Sequence, residues 1–553
     1  RLVYADETLL LAQPEIEVFN PYDTIPGTLY AYDADTGQAM WEQRYGDWSH
    51  VDYQPDLFVV DNRVWVHKHL ADKSTDDYEL LGLDLATGEV ERRFSTARAF
   101  DVGHHHRCYS NRSTTEFVLS SHRGVEFLEL DSGTNWLNHW VRGTCLFGYL
   151  PCNGLLYAPP DPCQCFIRTK LNGYFALSAD QERALDLPVD SWERPLEKGP
   201  ARGAAARDGA SGTAAWPTFR HDARRSGAAS VELPRQLETA WTMQVGGRLT
   251  SATVGYGRVF TSVRDRHQVV ALDAETGERS WSFTAGAGVD TPPTLYKGLA
   301  LFGARDGWVY CVTADEGQLV WRRRIAPQAR FVGAFDGVES AWPLHGSVLI
   351  ENGLAYVVAG RSSYLDGGIF ACALEPETGK VVKGKNIYSP DPETGRQPYG
   401  AGNTWSVPGA LTDILTSDGA SVYMRRRELF GGADGGEPPV FATGGMLDNS
   451  WFSRIKWGRN DTDGGELAVF DGPHTYGIEA YPGSGKGTGS GEFFWPDDDG
   501  YRLFRTRKDG GDRGDGWTRK IPVRGKAMIL AGDRLVVAGP PDLTPADAPL
   551  AAF

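Results

Sequence analysis

Val269–Trp281 reads VVALDAETGERSW, and the same arrangement returns as LYAYDADTGQAMW at Leu29–Trp41 and as VYCVTADEGQLVW at Val309–Trp321. In each stretch alternating apolar residues lead into Asp-x-x-Thr-Gly or a close variant, and a Trp follows. The alternation predicts a strand, the Asp side chain caps a tight turn, the Gly accepts positive φ, and the next strand carries the Trp. Weaker copies are LLGLDLATGEVERRF from Leu80, FLELDSGTNWL from Phe127 and FACALEPETGKVV from Phe370, where the final Trp is replaced. A second alternating pair precedes several copies, as in RLVYADETLLLA from Arg1, DLFVVDNRVWVHKHL from Asp56 and SVLIENGLAYVVAG from Ser347.

Four strands in about 40 residues make a unit that cannot bury both faces alone, so such units stack radially as blades. The chain is therefore expected to be all-β. The expectation is a single eight-bladed β-propeller of four-stranded antiparallel blades over residues 1–553, with seven blades as the fallback. Blades are placed near 1–46, 56–97, 113–143, 150–180, 240–284, 290–326 and 345–390, with a last, irregular region from 412 onward. Between about 181 and 239 the Ala/Gly-rich stretch EKGPARGAAARDGASGTAA has no apolar period and reads as an exposed linker or insertion.

Composition agrees: 66 Gly with 17 Trp in 553 residues suits glycine turns between aromatic strands. A formal net charge of −16 opposes nonspecific binding to nucleic acid or anionic lipid, so neither is an expected partner. No apolar run reaches the roughly 18 residues of a membrane-spanning helix. Arg1 opens the chain with neither an initiator Met nor an apolar leader, as in a processed, trimmed or incomplete chain.

Ala31, Asp33, Thr36, Gly37 and Trp41, and again Ala271, Asp273, Thr276, Gly277 and Trp281, match the tryptophan-docking pattern Ala-x-Asp-x-x-Thr-Gly-x-x-x-Trp. On these residues the chain resembles the quinoprotein-alcohol-dehydrogenase-like propellers, the pyrroloquinoline-quinone (PQQ)-like repeat family. The resemblance implies that the Trp of one blade packs on its neighbour. WPTFRHDARRSG at 216–227 resembles the segment that often opens propellers of this group, here in mid-chain. LPCNGLLYAPP, AWPLHGS and GRSSYLDGG resemble segments of exported propellers of planctomycete-type bacteria, which implies a periplasmic or extracellular bacterial protein.

Ionisable residues that the blade pattern does not require fall into clusters. GHHHRCYSNRST from Gly103, SSHRG from Ser120 and LNHWVRGTC from Leu137 supply the catalytic candidates His106, Arg107, Tyr109, His122 and Arg142. His104 and His106 share one face of an extended segment and, with Cys145, Cys152, Cys163 and Cys165, are the metal-ligand candidates. One or two disulfides pinning Pro-rich loops is the other reading of those cysteines, and a metal ion is the candidate cofactor. Glu339, Trp342, His345, Arg361 and Asp366, from FDGVESAWPLHGS and GRSSYLDGG, are the ligand-binding candidates. Packing between blades is the favoured reading of Trp342 taken alone.

The function expected is a ligand-binding or assembly scaffold with an acidic carbohydrate or a protein as partner. A carbohydrate-active enzyme, such as a lyase on acidic polysaccharide, is the alternative. A quinone-dependent dehydrogenase comes third: the family's quinone site uses vicinal cysteines, and the chain has no Cys-Cys dipeptide and no CxxCH haem motif. Pyrroloquinoline quinone is therefore not an expected cofactor.

Overall fold

The computed structural model describes residues 1–14, 24–48, 56–69, 78–100, 109–144, 147–160, 170–171, 173–179, 192–203, 215–334, 337–398, 408–431, 436–442, 444–447, 457–459, 464–480, 500–507 and 516–542. Among them the only helical segments are Ala97–Phe100 and the 3-10 turn Arg264–Arg266, and the other described residues are strand and loop. Two compact units divide it, one of residues 1–184 with 389–409, the other of 185–388 with 410–553.

In the first unit, three four-stranded antiparallel sheets lie at Leu2–Trp48, Phe58–Ser95 and Arg112–Trp136, and a three-stranded one at Leu150–Ser178. In the second, four-stranded meanders run from Thr253 to Thr284, from Thr294 to Arg324 and from Leu349 to Ile387. The region from 412 onward, expected as the last and least regular part, holds four sheets among its described residues: Leu415–Phe430, a small one at Phe441–Gly465, Leu467–Ile521 and the hairpin Ala527–Ala538. Within each unit the sheets follow one another along the chain as the blades of a propeller do, and no pairing in either unit closes a ring of seven or eight among the described residues.

The turn motif works as its residues dictate. Asp273 Oδ1 accepts from the Thr276 amide at 2.9 Å, and Gly277 sits at φ 75°. Immediately before the turn the strand register slips, between Ala271 and Leu272 and likewise between Cys311 and Val312. Trp281 Nε1 donates to Ala314 O at 3.1 Å, on the turn of the next sheet, and a Cβ on Gly317 there would lie 2.5 Å from the Trp281 ring. Trp41 repeats this on Leu85 and Gly88, and Trp321 on Pro376 and Gly379. The neighbour-docking that the family resemblance implies is thus present, and Gly is required twice over, for its φ and for the ring lying against it. Between sheets the core is apolar: Leu301, Val309, Cys311 and Trp321 pack against Trp342, Val357, Phe370 and Cys372.

The stretch expected as an exposed linker contains ordered pieces. Leu196–Lys198 adds a fifth strand to the outer edge of Leu319–Arg324, and the Arg194 guanidinium lies 4.5 Å and 4.7 Å from the centroids of the Trp192 and Phe370 rings. The unpaired outer edge was available to any strand with free amides, so tertiary context overrode a composition that reads as coil. Residues 204–214 lie outside the described residues.

Trp216–Ala229 touches the first strands of five sheets of the second unit. Trp216 bridges to Val254, Pro217 O accepts from the Leu295 amide, and Ala223 O accepts from that of Ser417. Ser226 O accepts from the amide of Phe470, and Gly227 O from that of Leu530. Arg225 is fully buried; its guanidinium donates to Leu415 O at 3.0 Å, Thr218 Oγ1 at 2.8 Å and Phe219 O at 2.9 Å. Burial pushes the Arg225 pKa down to about 9. The mid-chain motif is thus an axis on which the sheets of this unit converge.

Candidate functional site

In a four-stranded meander the first-to-second and third-to-fourth turns lie at one end of the sheet, and the second-to-third loop and the exit to the next sheet lie at the other. The Asp-x-x-Thr-Gly turns occupy the first end. At the opposite end of the second unit, an Arg follows within two residues of the second strand in four successive sheets: Arg264, Arg305, Arg361 and Arg425. The exits between sheets supply the acids Asp290, Glu339 and Asp413.

These groups interlock. Asp290 accepts from Arg264 Nε at 3.1 Å, from Arg305 Nη2 at 2.7 Å and Nε at 2.8 Å, and from His345 Nδ1 at 2.8 Å. Arg305 also reaches Glu339 at 3.4 Å, and Arg361 pairs with the other Glu339 oxygen. Arg361 Nη1 donates to Ser340 O at 3.1 Å and Ala341 O at 2.7 Å, while Arg330 binds Asp366 at 2.9 Å. Trp342, buried in the inter-sheet core, donates its indole N–H to Asp366 O at 2.7 Å. Arg425 lies 3.5 Å from the buried Asp413.

The acids are interior and the cations lie above them. Asp290 and Glu339 side chains are 3 % and 2 % exposed, whereas Arg264 and Arg330 are 31 % and 29 % exposed. Burial alone would raise the Asp290 carboxyl, but hydrogen bonds from His345 and Arg305 outweigh it and hold the group well below the usual carboxylate range. Asp366 moves the other way, because burial exceeds the pull of Arg330 and Arg361. Four guanidiniums, Arg264, Arg305, Arg330 and Arg361, and three carboxylates, Asp290, Glu339 and Asp366, make up these pairs.

The structure brings all five ligand-binding candidates, Glu339, Trp342, His345, Arg361 and Asp366, into this one network. Sequence reasoning passed over Arg264, Asp290 and Arg305. The signal was present as SVRD at 262–265 and GARD at 303–306, at equivalent places one blade apart.

Of the catalytic candidates, His106 and Arg107 lie outside the described residues, as do the metal candidates His104, Cys145, Cys163 and Cys165. Cys152 is an exposed free thiol. Tyr109 is buried, its hydroxyl donating to Gly124 O at 3.0 Å and accepting from the Gly143 amide at 3.1 Å. His122 is buried with Nδ1 2.9 Å from Ala99 O, and Arg142 is buried near it in sequence. Glu126 organises this loop of the first unit: its oxygens accept from the amides of His122, Arg123 and Gly124, and His139 Nε2 lies 3.2 Å away. Burial opposes ionisation of Glu126, yet the His139 contact and these amides bring its pKa down to about 2. His122 and Arg142 belong to the first unit, and the ligand-binding candidates to the second. Among the described residues no three His, Cys, Asp or Glu side chains are grouped as a metal site.

A sequence-family model described as outer membrane protein assembly factor BamB, a PQQ-repeat family, matches residues 5–105 and 204–397, more than half of the chain. The chain belongs to this PQQ-repeat, BamB-like propeller family. It is also similar to quinoprotein alcohol dehydrogenase PedH of Pseudomonas putida, 24 % identical over 269 residues, 43 % of this chain. The chain spans 40 % of the length of that curated relative. Among solved structures, quinohemoprotein alcohol dehydrogenase from Comamonas testosteroni matches with TM-score 0.30 and 17 % identity, over 61 % of this chain and 53 % of that one. BamB from Moraxella catarrhalis matches with TM-score 0.17 and 14 % identity, over 60 % and 77 %. Among the described residues of this PQQ-repeat protein, no helix is long and apolar enough to cross a membrane.

Proposed function

We propose that the protein is an extracytoplasmic bacterial PQQ-repeat propeller that serves as a ligand-binding or assembly scaffold, and that it recognises an anionic group through the loop end of its second unit. The observation that carries this is the chain Arg264, Asp290, Arg305, Glu339, Arg361, in which buried carboxylates fix guanidiniums that remain partly exposed. A guanidinium fork held by one bond keeps its remaining N–H groups for a planar anion. Membership of a family described as an assembly factor supports the scaffold part of the reading and an extracytoplasmic location.

The test is salt-dependent retention on immobilised polyanions, comparing the parent with the Arg264→Ser/Arg330→Ser variant. Both residues are exposed enough that their loss leaves the fold standing. Retention of the variant at the parent's ionic strength would sink the reading.

A second reading, a lyase on acidic polysaccharide, is favoured by one observation, the arrangement of His345 beside Arg264 on a common carboxylate. The dehydrogenase reading has less behind it. We infer that quinone is not the cofactor, on the absence of a Cys-Cys dipeptide; stoichiometric uptake of quinone with Ca²⁺ would overturn that.

A further inference from the structure

We propose that Asp290, His345 and Arg264 form an acid–base site acting on the uronate units of an acidic polysaccharide, with His345 as the base. The inference rests on the anionic-ligand reading above and adds a reaction to it.

Both Asp290 oxygens accept from Arg305, and each takes one further donor. Oδ2 accepts from His345 Nδ1 at 2.8 Å, and Oδ1 accepts from Arg264 Nε at 3.1 Å. An ionised carboxylate only accepts, so His345 donates from Nδ1, and Nε2 is the ring nitrogen that can act as a base in the neutral ring. No described residue hydrogen-bonds that Nε2, and the side chain is 19 % exposed. Arg264 is engaged only through Nε among the described residues, so both its Nη groups stand open on the same carboxylate as the base. Arg305, bidentate on Asp290, prevents that carboxylate from turning. A carboxylate receptor and a base therefore stand side by side, each pre-positioned by a buried acid.

A base next to a bound carboxylate meets the C–H bond adjacent to it. In a 4-linked uronate that carbon is C5, and the glycosidic oxygen at C4 is the leaving group. Pairing the carboxylate with Arg264 stabilises the negative charge that develops on it as the proton departs. His345 Nε2 takes the C5 proton, the C–H electron pair forms the C4=C5 bond, and the C4–O bond breaks. The leaving oxygen then takes the proton back from His345 Nε2–H, which restores the neutral imidazole. One glycosidic bond becomes one double bond and one hydroxyl, with no oxidant, reductant or further reactant.

The experiment uses the whole chain with oligogalacturonate, oligomannuronate and polyglutamate, measuring binding by calorimetry and elimination by the ultraviolet absorbance of the unsaturated product. The parent should bind an oligouronate and generate that absorbance. His345→Gln should bind within about threefold and lose elimination by about 100-fold or more, with imidazole restoring part of it in His345→Ala. Arg264→Ala should weaken binding about tenfold. Titration of the parent's His345 ring by NMR, shifted by an oligouronate, keeps the test independent of whether the variants fold. Binding without unsaturated product overturns the reaction and leaves the anion-binding reading intact. Binding of polyglutamate alone overturns the reaction in favour of an acidic protein partner, and no binding of any of the three overturns both.

Discussion

Asp290 and His345 lie 55 residues apart in the chain, on either side of a whole sheet, and meet through a 2.8 Å hydrogen bond. Because the same carboxylate is gripped by Arg305 and Arg264, its charge is needed by three partners at once.

Replacing Asp290 by Asn should therefore cost more than one hydrogen bond. It removes the bidentate partner of the partly buried Arg305, leaving the longer contact to Glu339, and unlocks the His345 tautomer. A destabilisation of about 3–5 kcal/mol is expected, the range for breaking one side of a buried ion pair. Urea unfolding compared with the parent checks it, and a loss below about 1 kcal/mol would show that solvent takes over the role of the carboxylate.

Glu126 predicts an acid sensitivity in the first unit. Its pKa is near 2 in the folded chain, against an ordinary value of 4.5. Its stabilisation is complete above the unfolded value, declines as pH falls through this interval, and is gone below the folded one. The contribution is roughly 3 kcal/mol. Glu126→Gln should show a smaller loss of stability than the parent between about pH 5 and pH 2, measured by denaturant unfolding at each pH. Equal slopes for the two would contradict the assignment.

The tryptophan docking can be tested by two alanines. Gly317 and Gly257 both sit at positive φ, 69° each. A Cβ at Gly257 meets open space, while one at Gly317 meets the Trp281 ring at 2.5 Å. Gly257→Ala should cost about 1–2 kcal/mol for backbone strain, and Gly317→Ala more, with the excess disappearing in a Trp281→Ala background. Additive losses in the double mutant would rule out the contact.

Arg225→Met removes a buried guanidinium that supports three acceptors, Leu415 O, Thr218 Oγ1 and Phe219 O. Losing those bonds inside the converging sheets should destabilise the second unit by about 2–5 kcal/mol. Arg225→Lys should recover little, since one ammonium cannot span the three directions of the fork. Calorimetric unfolding distinguishes the variants, and a Lys variant as stable as the parent would refute the hub role.

By itself the sequence determined the blade. Its strands pair with their immediate successors, its side chains alternate with a period of two, and its turn is set by the Asp, Thr and Gly of one short motif, so all of its information is local. Hence Asp273, Gly277 and Trp281 were readable directly. The His345, Arg361 and Asp366 cluster was visible only as an excess of ionisable residues over what a blade requires. What joins Asp290 to Arg264 and His345 was decided by the tertiary structure, because the exits between sheets have irregular lengths and no period to read. The same holds for Trp216–Ala229 and for Leu196–Lys198. Leu196–Lys198 pairs only with a distant strand, and Trp216–Ala229, although Arg225 bonds within it, takes its place from the sheets it touches; each depends on hydrogen-bonding groups that exist only after the sheets have formed around or beside it.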